Sequence, residues 1–208
     1  MAVMLDVDAA PASDATARAV AATLACIARS GLAKLTVDDV AREAGASRAT
    51  IYRTFPSKQA LVAAAVVSEA DRICAAIADA VAQVVDLDDV VAEVVLVGTR
   101  ELSACAALRF VAEHEADLLY PHLEFAGGDR LYAEIGRRLA PVFAGRCAEP
   151  ERAAEWVARF ALGLHWAPTP LVDPTDDATV RRIVATYVTP GIATRVPDSF
   201  VAPPEEAR

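Results

Sequence analysis

The sequence has few aromatic residues and no long uninterrupted apolar run. Aromatic residues make up 6% of its 208 residues, whereas hydrophobic residues make up 55%. Most of the apolar residues are alanine and valine in long tracts, a pattern that favours packed helices over alternating strands. Charged or polar residues interrupt every apolar stretch before it reaches about 18 residues, so we expect no membrane-spanning segment.

The sequence also lacks the signals of a secreted, disulfide-bonded protein. No lysine or arginine precedes Arg18, and the start of the chain carries Asp6, Asp8 and Asp14, whereas a secretory signal needs a basic first region. We therefore expect a cytoplasmic protein. No CxxC pair is present, and apolar helical surroundings favour free buried thiols at the four cysteines, Cys26, Cys74, Cys105 and Cys147.

No common catalytic motif is present. The sequence has no GxSxG, P-loop, HExxH or strand-linked GxGxxG, and its carboxylates fall at solvent-facing helical positions. In the segment FVAEHEADLLYPHLEF, a zinc-protease motif would need histidine where Leu118 stands, so His114, Asp117 and His122 favour a solvated acidic face over a metal site. We predict neither an enzyme nor a cofactor or metal. A helical enzyme and an all-α interaction module without DNA binding remain the alternatives.

Acidic charge is concentrated in the later part of the chain. The net charge is −9, but residues 1–58 hold 7 lysines and arginines against 6 acids, whereas residues 59–208 hold 13 against 23. The stretch GASRATIYRTFPSK, residues 45–58, contains three cations and no acid. Overall acidity argues against nucleic acid as a partner. The uneven distribution keeps that partner open for the N-terminal part alone.

Capping residues and helix breakers divide the chain into about nine helices without a sheet. Thr36, Ser47 and Ser57 are good N-caps, and Gly31 and Gly45 are good stops. Pro141 is expected to kink or end the helix that contains it. The all-α prediction places helices at about 14–30, 36–44, 47–54, 58–85, 86–104, 108–120, 127–143, 149–167 and 178–188, the last stopped by Pro190 and Gly191.

The second and third predicted helices, with a tight turn at Gly45, describe a helix-turn-helix. Ala41 would lie where the two helices cross, and Ile51 and Phe55 would pack into the core. The stretch LTVDDVAREAGASRATIYRTFPSKQALVAAAV resembles the N-terminal DNA-binding domain of the TetR family of transcriptional regulators. The resemblance covers about residues 14–65 and keeps in register Thr36, Val40, Ala41, Ala44, Gly45, Ser47, Thr50, Tyr52, Phe55, Ser57, Lys58 and Leu61, with Val40 for the usual Ile and Ala46 for the usual Val.

The resemblance implies a DNA-binding site on residues 36–58. Arg48 is suited to guanine, Ala49 or Thr50 to a thymine methyl, and Tyr52 to a phosphate. Thr36 at a helix N-terminus and Lys58 would also contact phosphate, whereas base and backbone both remain open for Arg53. The complete predicted set is Thr36, Ser47, Arg48, Ala49, Thr50, Tyr52, Arg53 and Lys58.

The resemblance also implies two domains and a regulatory cycle. Residues 14–58 would be the helix-turn-helix domain and residues 59–196 a ligand-binding and dimerisation domain, with flexible tails at 1–13 and 197–208. The expected partners are double-stranded DNA, a second copy of the chain and a small hydrophobic effector that releases a repressor from a palindromic operator. The candidate effector contacts are Phe110, His114, Tyr120, Phe160, His165 and Trp166.

Overall fold

The computed structural model describes residues 14–115, 117, 128–167, 169–170 and 172–193. The predicted tails, Tyr120 and His122 lie outside these residues. The helices are α1 Asp14–Ser30, α2 Val37–Glu43, α3 Arg48–Thr54, α4 Lys58–Val81, α5 Leu87–Ala104, α6 Ala106–His114, α7 Gly128–Phe143, α8 Pro150–Trp166 and α9, which starts as Asp177–Ile183, continues through a π-helical turn Val184–Val188 and ends as Thr189–Ala193.

The prediction of an all-α fold with nine helices is confirmed over the described residues, where the only β-type pairing is an isolated bridge between Thr169 and Val172. Side-chain caps explain the early helix starts. Ser57 accepts a hydrogen bond from the Ala60 amide at 3.1 Å and begins α4, and Asp86 accepts from the Asp88 amide at 2.9 Å and begins α5. These caps satisfy amides that the first helical turn leaves unpaired.

Three predicted helix ends are wrong. α4 ends at Val81 rather than Val85, whose side chain is 86% exposed and offers nothing to bury. α6 ends at His114 rather than at Tyr120, and the next residue, Glu115, has left the helical conformation. The predicted end of α7 at residue 143 is right, but Pro141 does not end the helix, because α7 continues through this exposed residue to the buried Phe143.

The third error concerns the end of α9, which runs through Pro190 and Gly191 instead of stopping before them. A proline ring normally clashes with the carbonyl four residues earlier. Here the preceding π-helical turn changes the bonding register, because the Thr189 amide donates to the Val184 carbonyl, five residues back. The wider turn accommodates the ring, so the helix continues.

Two apolar clusters fill the molecule. The N-terminal cluster is formed by α1, α2, α3, the first turns of α4, and α6. Val40, Ile51 and Leu61 are buried in it. The C-terminal cluster joins the rest of α4 to α5, α7, α8 and α9 around Phe143 and Val157. α4 therefore contributes to both clusters. The domain boundary between residues 58 and 59 stays a prediction.

An ionic group around the buried Glu69 lies on α4 between the stretches that enter the two clusters. Arg72 Nε donates to both carboxylate oxygens of the buried Glu69 at 3.1 Å, and its Nη1 donates to Glu101 of α5 at 2.8 Å. Because a buried carboxylate is costly without partners, this group requires α4 and α5 to stay in register at the junction of the clusters.

Candidate nucleic-acid interface

The α2–turn–α3 unit is built as the sequence predicts. Thr36 accepts a hydrogen bond from the Asp39 amide and caps α2, and Ser47 accepts one from the Thr50 amide and caps α3, both at 3.1 Å. Gly45 supplies the positive φ of the turn, 63°, which an ordinary side chain rarely adopts. The Ala46 amide then donates to the Ala41 carbonyl at 2.9 Å and closes the turn.

Burial fixes which side of α3 faces outward. Ile51 and Phe55 are buried in the N-terminal cluster, as predicted. Arg48, Ala49, Tyr52 and Arg53 are exposed, and they recur at the spacing of one helical face. The Tyr52 side chain is 43% exposed, and the Arg48 guanidinium carbon lies 5.7 Å from its ring centroid. α3 therefore presents two guanidinium groups and a phenol on one exposed face.

Arginines partner all three acids of α2. Arg48 Nε lies 2.9 Å from Asp38 Oδ1, and Arg48 Nη1 donates to Asp38 Oδ2 at 3.1 Å. Asp39 pairs with Arg42 at 2.9 Å, and Glu43 pairs with Arg29 at 3.0 Å. Negative charge next to α3 is thereby balanced pair by pair. Among the described residues, the α3 cation outside such a pair is Arg53.

The Thr36 hydroxyl both accepts and donates a hydrogen bond. It accepts from the Asp39 amide, and it donates to Asp39 Oδ2 at 2.5 Å. This hydrogen bond and a second one from Arg42 hold the pKa of the Asp39 carboxyl below its usual range. Of the two readings of Thr36 from the sequence, the structure shows the N-cap directly. Its contact with a phosphate stays a prediction.

Lys58 reaches back to the loop between α1 and α2. Its ammonium donates to the Leu32 carbonyl at 2.9 Å. The amide of Leu32 donates to Glu115 Oε2 at 2.6 Å, and the Ala33 amide donates to Glu115 Oε1 at 3.1 Å. The loop is thus held from both sides, by α4 and by the residue that follows α6. An ammonium has three donors, so the Leu32 contact leaves Lys58 donors for a phosphate.

Gly31 makes room for the Glu115 carboxylate. Its φ is 84°, and a Cβ there would lie 2.7 Å from Phe110 Cε1 and still closer to Glu115 Oε1. Only a residue without a side chain fits this position without moving its neighbours. The α1–α2 loop is therefore matched in shape and in hydrogen bonding to the end of α6.

The predicted effector residues fall into two places. Phe110 stacks on His114 at the end of α6, with ring centroids 4.5 Å apart, against the α1–α2 loop. Phe160, His165 and Trp166 lie on α8 and are half-buried. The two groups lie on different helices, α6 and α8. An effector site that combines them stays a prediction.

The end of α8 carries polar atoms in partly buried surroundings. The His165 and Trp166 rings meet edge to face at 4.6 Å, and His165 Nδ1 lies 3.4 Å from Ser103 Oγ of α5. Burial lowers the pKa of His165 and favours its neutral form. Trp166 Nε1 is buried without a hydrogen-bond partner among the described residues. This donor could serve an acceptor atom of a ligand.

Thiol and metal chemistry find no support in the described part of the chain. All four cysteines are free; Cys26 is buried, but Cys74, Cys105 and Cys147 are half-buried rather than buried as predicted. Burial raises the pKa of the Cys74 thiol to about 11, which disfavours its reactive thiolate. Within residues 14–115, 117, 128–167, 169–170 and 172–193, no three histidine, cysteine, aspartate or glutamate residues are grouped for a metal ion.

Sequence reasoning missed the partners of the predicted DNA contacts. Asp38 stands ten residues before Arg48, and the crossing of α2 and α3, rather than their spacing along the chain, brings them together. Glu115 stands 83 residues after Leu32. No local pattern connects those two positions.

The N-terminal part of the chain matches a known family, and the fold matches solved regulators. Residues 19–65 match the family model described as bacterial regulatory proteins, tetR family. No curated protein matches the chain. No helix among the described residues combines the length and apolar character needed to cross a membrane.

Three solved structures illustrate the likeness of fold. The TetR family repressor AlkX from Dietzia sp., implicated in biodegradation of n-alkanes, is 21% identical, with a TM-score of 0.67 over 89% of this chain and 100% of that one. The transcriptional repressor QsdR from R. erythropolis is 17% identical, with a TM-score of 0.54 over 88% and 97%. The fatty acid degradation regulator FadR from Bacillus halodurans is 17% identical, with a TM-score of 0.52 over 82% and 98%.

These likenesses extend over most of the chain and show the fold of DNA-binding transcriptional regulators. The family model that matches residues 19–65 is one of regulatory proteins. The match of residues 19–65 covers α2, α3 and the start of α4, where the exposed face of α3 lies. Residues 19–65 therefore match the TetR-family model, which confirms the resemblance found in the sequence.

Proposed function

We propose that the chain is a homodimeric repressor that binds a palindromic operator and releases it when a small hydrophobic effector binds. The observation that carries the proposal is the exposed face of α3, where Arg48, Tyr52 and Arg53 lie together on a helix without acids. Arginine suits the acceptors of guanine in the major groove, and an exposed tyrosine hydroxyl suits a phosphate. The two capped helices fix this face relative to the core.

Dimerisation would use α8 and α9, the last two long helices, as the resemblance to the TetR family implies. Trp156 on α8 is 61% exposed and Tyr187 on α9 is 77% exposed in the single chain. Large exposed aromatic residues are typical of the buried centre of an interface. A twofold dimer would place two copies of α3 about one DNA turn apart, roughly 34–36 Å.

The effector would act through the C-terminal cluster. The alanine, valine and leucine side chains of this cluster favour an apolar molecule. The acidic charge of the C-terminal part disfavours a strongly anionic one. Phe160, His165 and Trp166 on α8 are the proposed contacts. If the effector favours a conformer with the wrong spacing of the two α3 helices, DNA must weaken effector binding by the same factor.

Gel-shift titration of the full chain at stated salt tests the DNA-binding part. A duplex is first selected with the wild type from a random pool. We expect the Arg48→Ala, Tyr52→Ala double variant to lose the preference for this duplex over a scrambled one. Lys58→Ala should weaken binding to both duplexes and reduce the slope of log affinity against log salt by about one. Equal, weak and unselective binding by wild type and double variant would refute the proposal.

A thermal-shift screen of hydrophobic metabolites tests the effector part. A compound that binds the folded dimer should raise the melting temperature, and the same compound should release the selected duplex in the gel shift. Phe160→Ala and Trp156→Ala form a matched pair, since both remove an aromatic ring from α8. The first should reduce the shift caused by the compound, and the second should instead weaken dimerisation.

A further inference from the structure

One ion pair of the described residues joins α3 to another helix. Arg48 at the start of α3 contacts Asp38 in the first turn of α2, with Nε 2.9 Å from Oδ1 and Nη1 donating to Oδ2 at 3.1 Å. The side chains are 60% and 49% exposed. The other two acids of α2 pair with arginines of α1 and of α2 itself. Asp38 thus pairs with Arg48, the arginine that is predicted to contact guanine.

An acid at this position is unexpected for a surface that approaches DNA. Its charge is repelled by phosphates, and in water an exposed ion pair contributes little to the stability of the fold. Docking against DNA excludes water, however, and charges interact more strongly when the local dielectric falls. The contact between Asp38 and Arg48 would therefore strengthen when the complex forms.

We infer that Asp38 is a positioning residue that fixes the Arg48 guanidinium for one base and so sets the sequence specificity of the protein. The inference rests on the proposed function. A guanidinium has five N–H donors, and the Asp38 contacts use Nε and Nη1. The donors that remain suffice for the paired contact with O6 and N7 of guanine.

Restraint of Arg48 has two consequences. A long side chain that is already held loses less freedom on binding, and the Tyr52 ring, 5.7 Å from the guanidinium carbon, limits its movement on another side. A restrained guanidinium is also less able to swing to a phosphate, a contact that carries no sequence information. Asp38 would therefore favour the correct duplex and disfavour all others.

Asp38→Asn tests this inference, and Glu43→Gln is its matched control. Both variants replace one α2 carboxylate with the amide and remove one exposed ion pair, but Glu43 pairs with Arg29 rather than with α3. Affinities of the full chain are measured by competition gel shift at several salt concentrations, for the selected duplex and for the scrambled one. Arg48→Ala and the Asp38→Asn, Arg48→Ala double variant complete the set.

We expect Asp38→Asn to reduce the ratio of specific to non-specific affinity about tenfold, within the discrimination that one paired base contact provides. Non-specific affinity should hold or rise, because a negative charge is lost. Glu43→Gln should keep the wild-type ratio. In the Arg48→Ala background, Asp38→Asn should leave the ratio unchanged, because Asp38 acts through Arg48.

The failures are distinguishable. If the wild type itself shows no sequence preference, the proposed function and this inference both fall. If the wild type has a preference that Asp38→Asn retains, only the inference falls. A carboxylate can also accept from cytosine N4. Loss of preference at a base pair that Arg48→Ala leaves unaffected would show that Asp38 reads a base itself, and would overturn a positioning role.

A purely structural effect has its own readout. Thermal melting of each variant shows whether α2 is disturbed, and Asp38→Ala provides a second variant with a better helix former. If Asp38→Asn and Asp38→Ala both lower the ratio and melt like the wild type, the inference is supported. If the ratio falls only in a variant that melts at a lower temperature, the inference is overturned.

Discussion

The two apolar clusters hold their helices in different ways. Around the N-terminal cluster, hydroxyl caps start α2, α3 and α4, and the loop after α1 is held by Glu115 and Lys58. Around the C-terminal cluster, α8 and α9 begin without a side-chain cap hydrogen bond. Their positions depend on buried valine, alanine and Phe143, and on Arg181, which pairs with Asp89, Glu93 and Asp177.

The difference matches what each region has to do. Directional hydrogen bonds fix the orientation of short helices to within narrow limits, as a surface that must fit a DNA groove requires. Burial of apolar area is not directional, so many sequences can build the same bundle. The N-terminal region therefore leaves a recognisable residue pattern, whereas the C-terminal region leaves mainly a helix count.

Removal of a large buried side chain should break the C-terminal cluster. Phe143 is fully buried, and Phe143→Ala should lower the free energy of unfolding by about 3–5 kcal/mol through lost burial and a cavity. Urea denaturation followed by circular dichroism measures the change. Val85→Ala, at an 86% exposed position, is the control and should change it by less than about 0.5 kcal/mol. A loss below about 1 kcal/mol for Phe143→Ala would contradict dependence on burial.

A matched pair of glycines tests the directional contacts of the N-terminal cluster. Gly31 and Gly45 both have positive φ, but only Gly31 has close neighbours that a Cβ would meet. Gly45→Ala should cost about 1 kcal/mol for backbone strain. Gly31→Ala should cost about 3 kcal/mol, because displacement of Glu115 also removes two hydrogen bonds of about 1 kcal/mol each.

The same denaturation experiment measures the glycine variants, and Glu115→Ala supplies the second background. Without the Glu115 carboxylate, most of the difference between Gly31→Ala and Gly45→Ala should disappear. If the difference persists in full, contact of the new methyl group with Phe110 rather than loss of the Glu115 hydrogen bonds explains it.

A histidine at the end of α8 should give the C-terminal region a small pH dependence. Burial lowers the pKa of His165, so the unfolded chain takes up a proton first as the pH falls. The contribution is fully present above the unfolded pKa, about 6.5, and is lost as the pH falls through the folded value. His165→Gln should flatten the melting temperature between about pH 7 and pH 5.

Asp39 should also make the stability of the N-terminal region fall as the pH falls, but over a lower pH range. Hydrogen bonds from Thr36 and Arg42 depress the pKa of Asp39, so its contribution to stability is present above the unfolded value of about 3.9 and is lost below it.

A slope in His165→Gln that equals the wild-type slope between about pH 7 and pH 5 would show that His165 is not the group that titrates.

Local sequence rules predicted the N-terminal region well because its structure is local. Thr36 and Ser47 each bond an amide three residues ahead, and Gly45 closes a turn between adjacent helices. The same rules failed where distant parts meet. α6 ends before Tyr120, where Glu115 reaches the α1–α2 loop.

The candidate site shows the same limit. The sequence identified the exposed residues of α3 because helical periodicity and burial of Ile51 and Phe55 determine which side faces outward. It did not show that Arg48 would pair with Asp38, or that the Lys58 ammonium would contact the Leu32 carbonyl. Side-chain partners depend on how helices cross, which spacing along the chain does not encode.

The Leu32 residue offers a way to follow the loop after α1 on its own. Its N–H points to Glu115 and its carbonyl accepts from Lys58, so a single residue is tied to the end of α6 and to the start of α4. Exchange of this amide proton with deuterium requires Glu115 to move away, but it does not require the molecule to unfold. The exchange rate of one amide thus reports how often the DNA-facing unit detaches from α6.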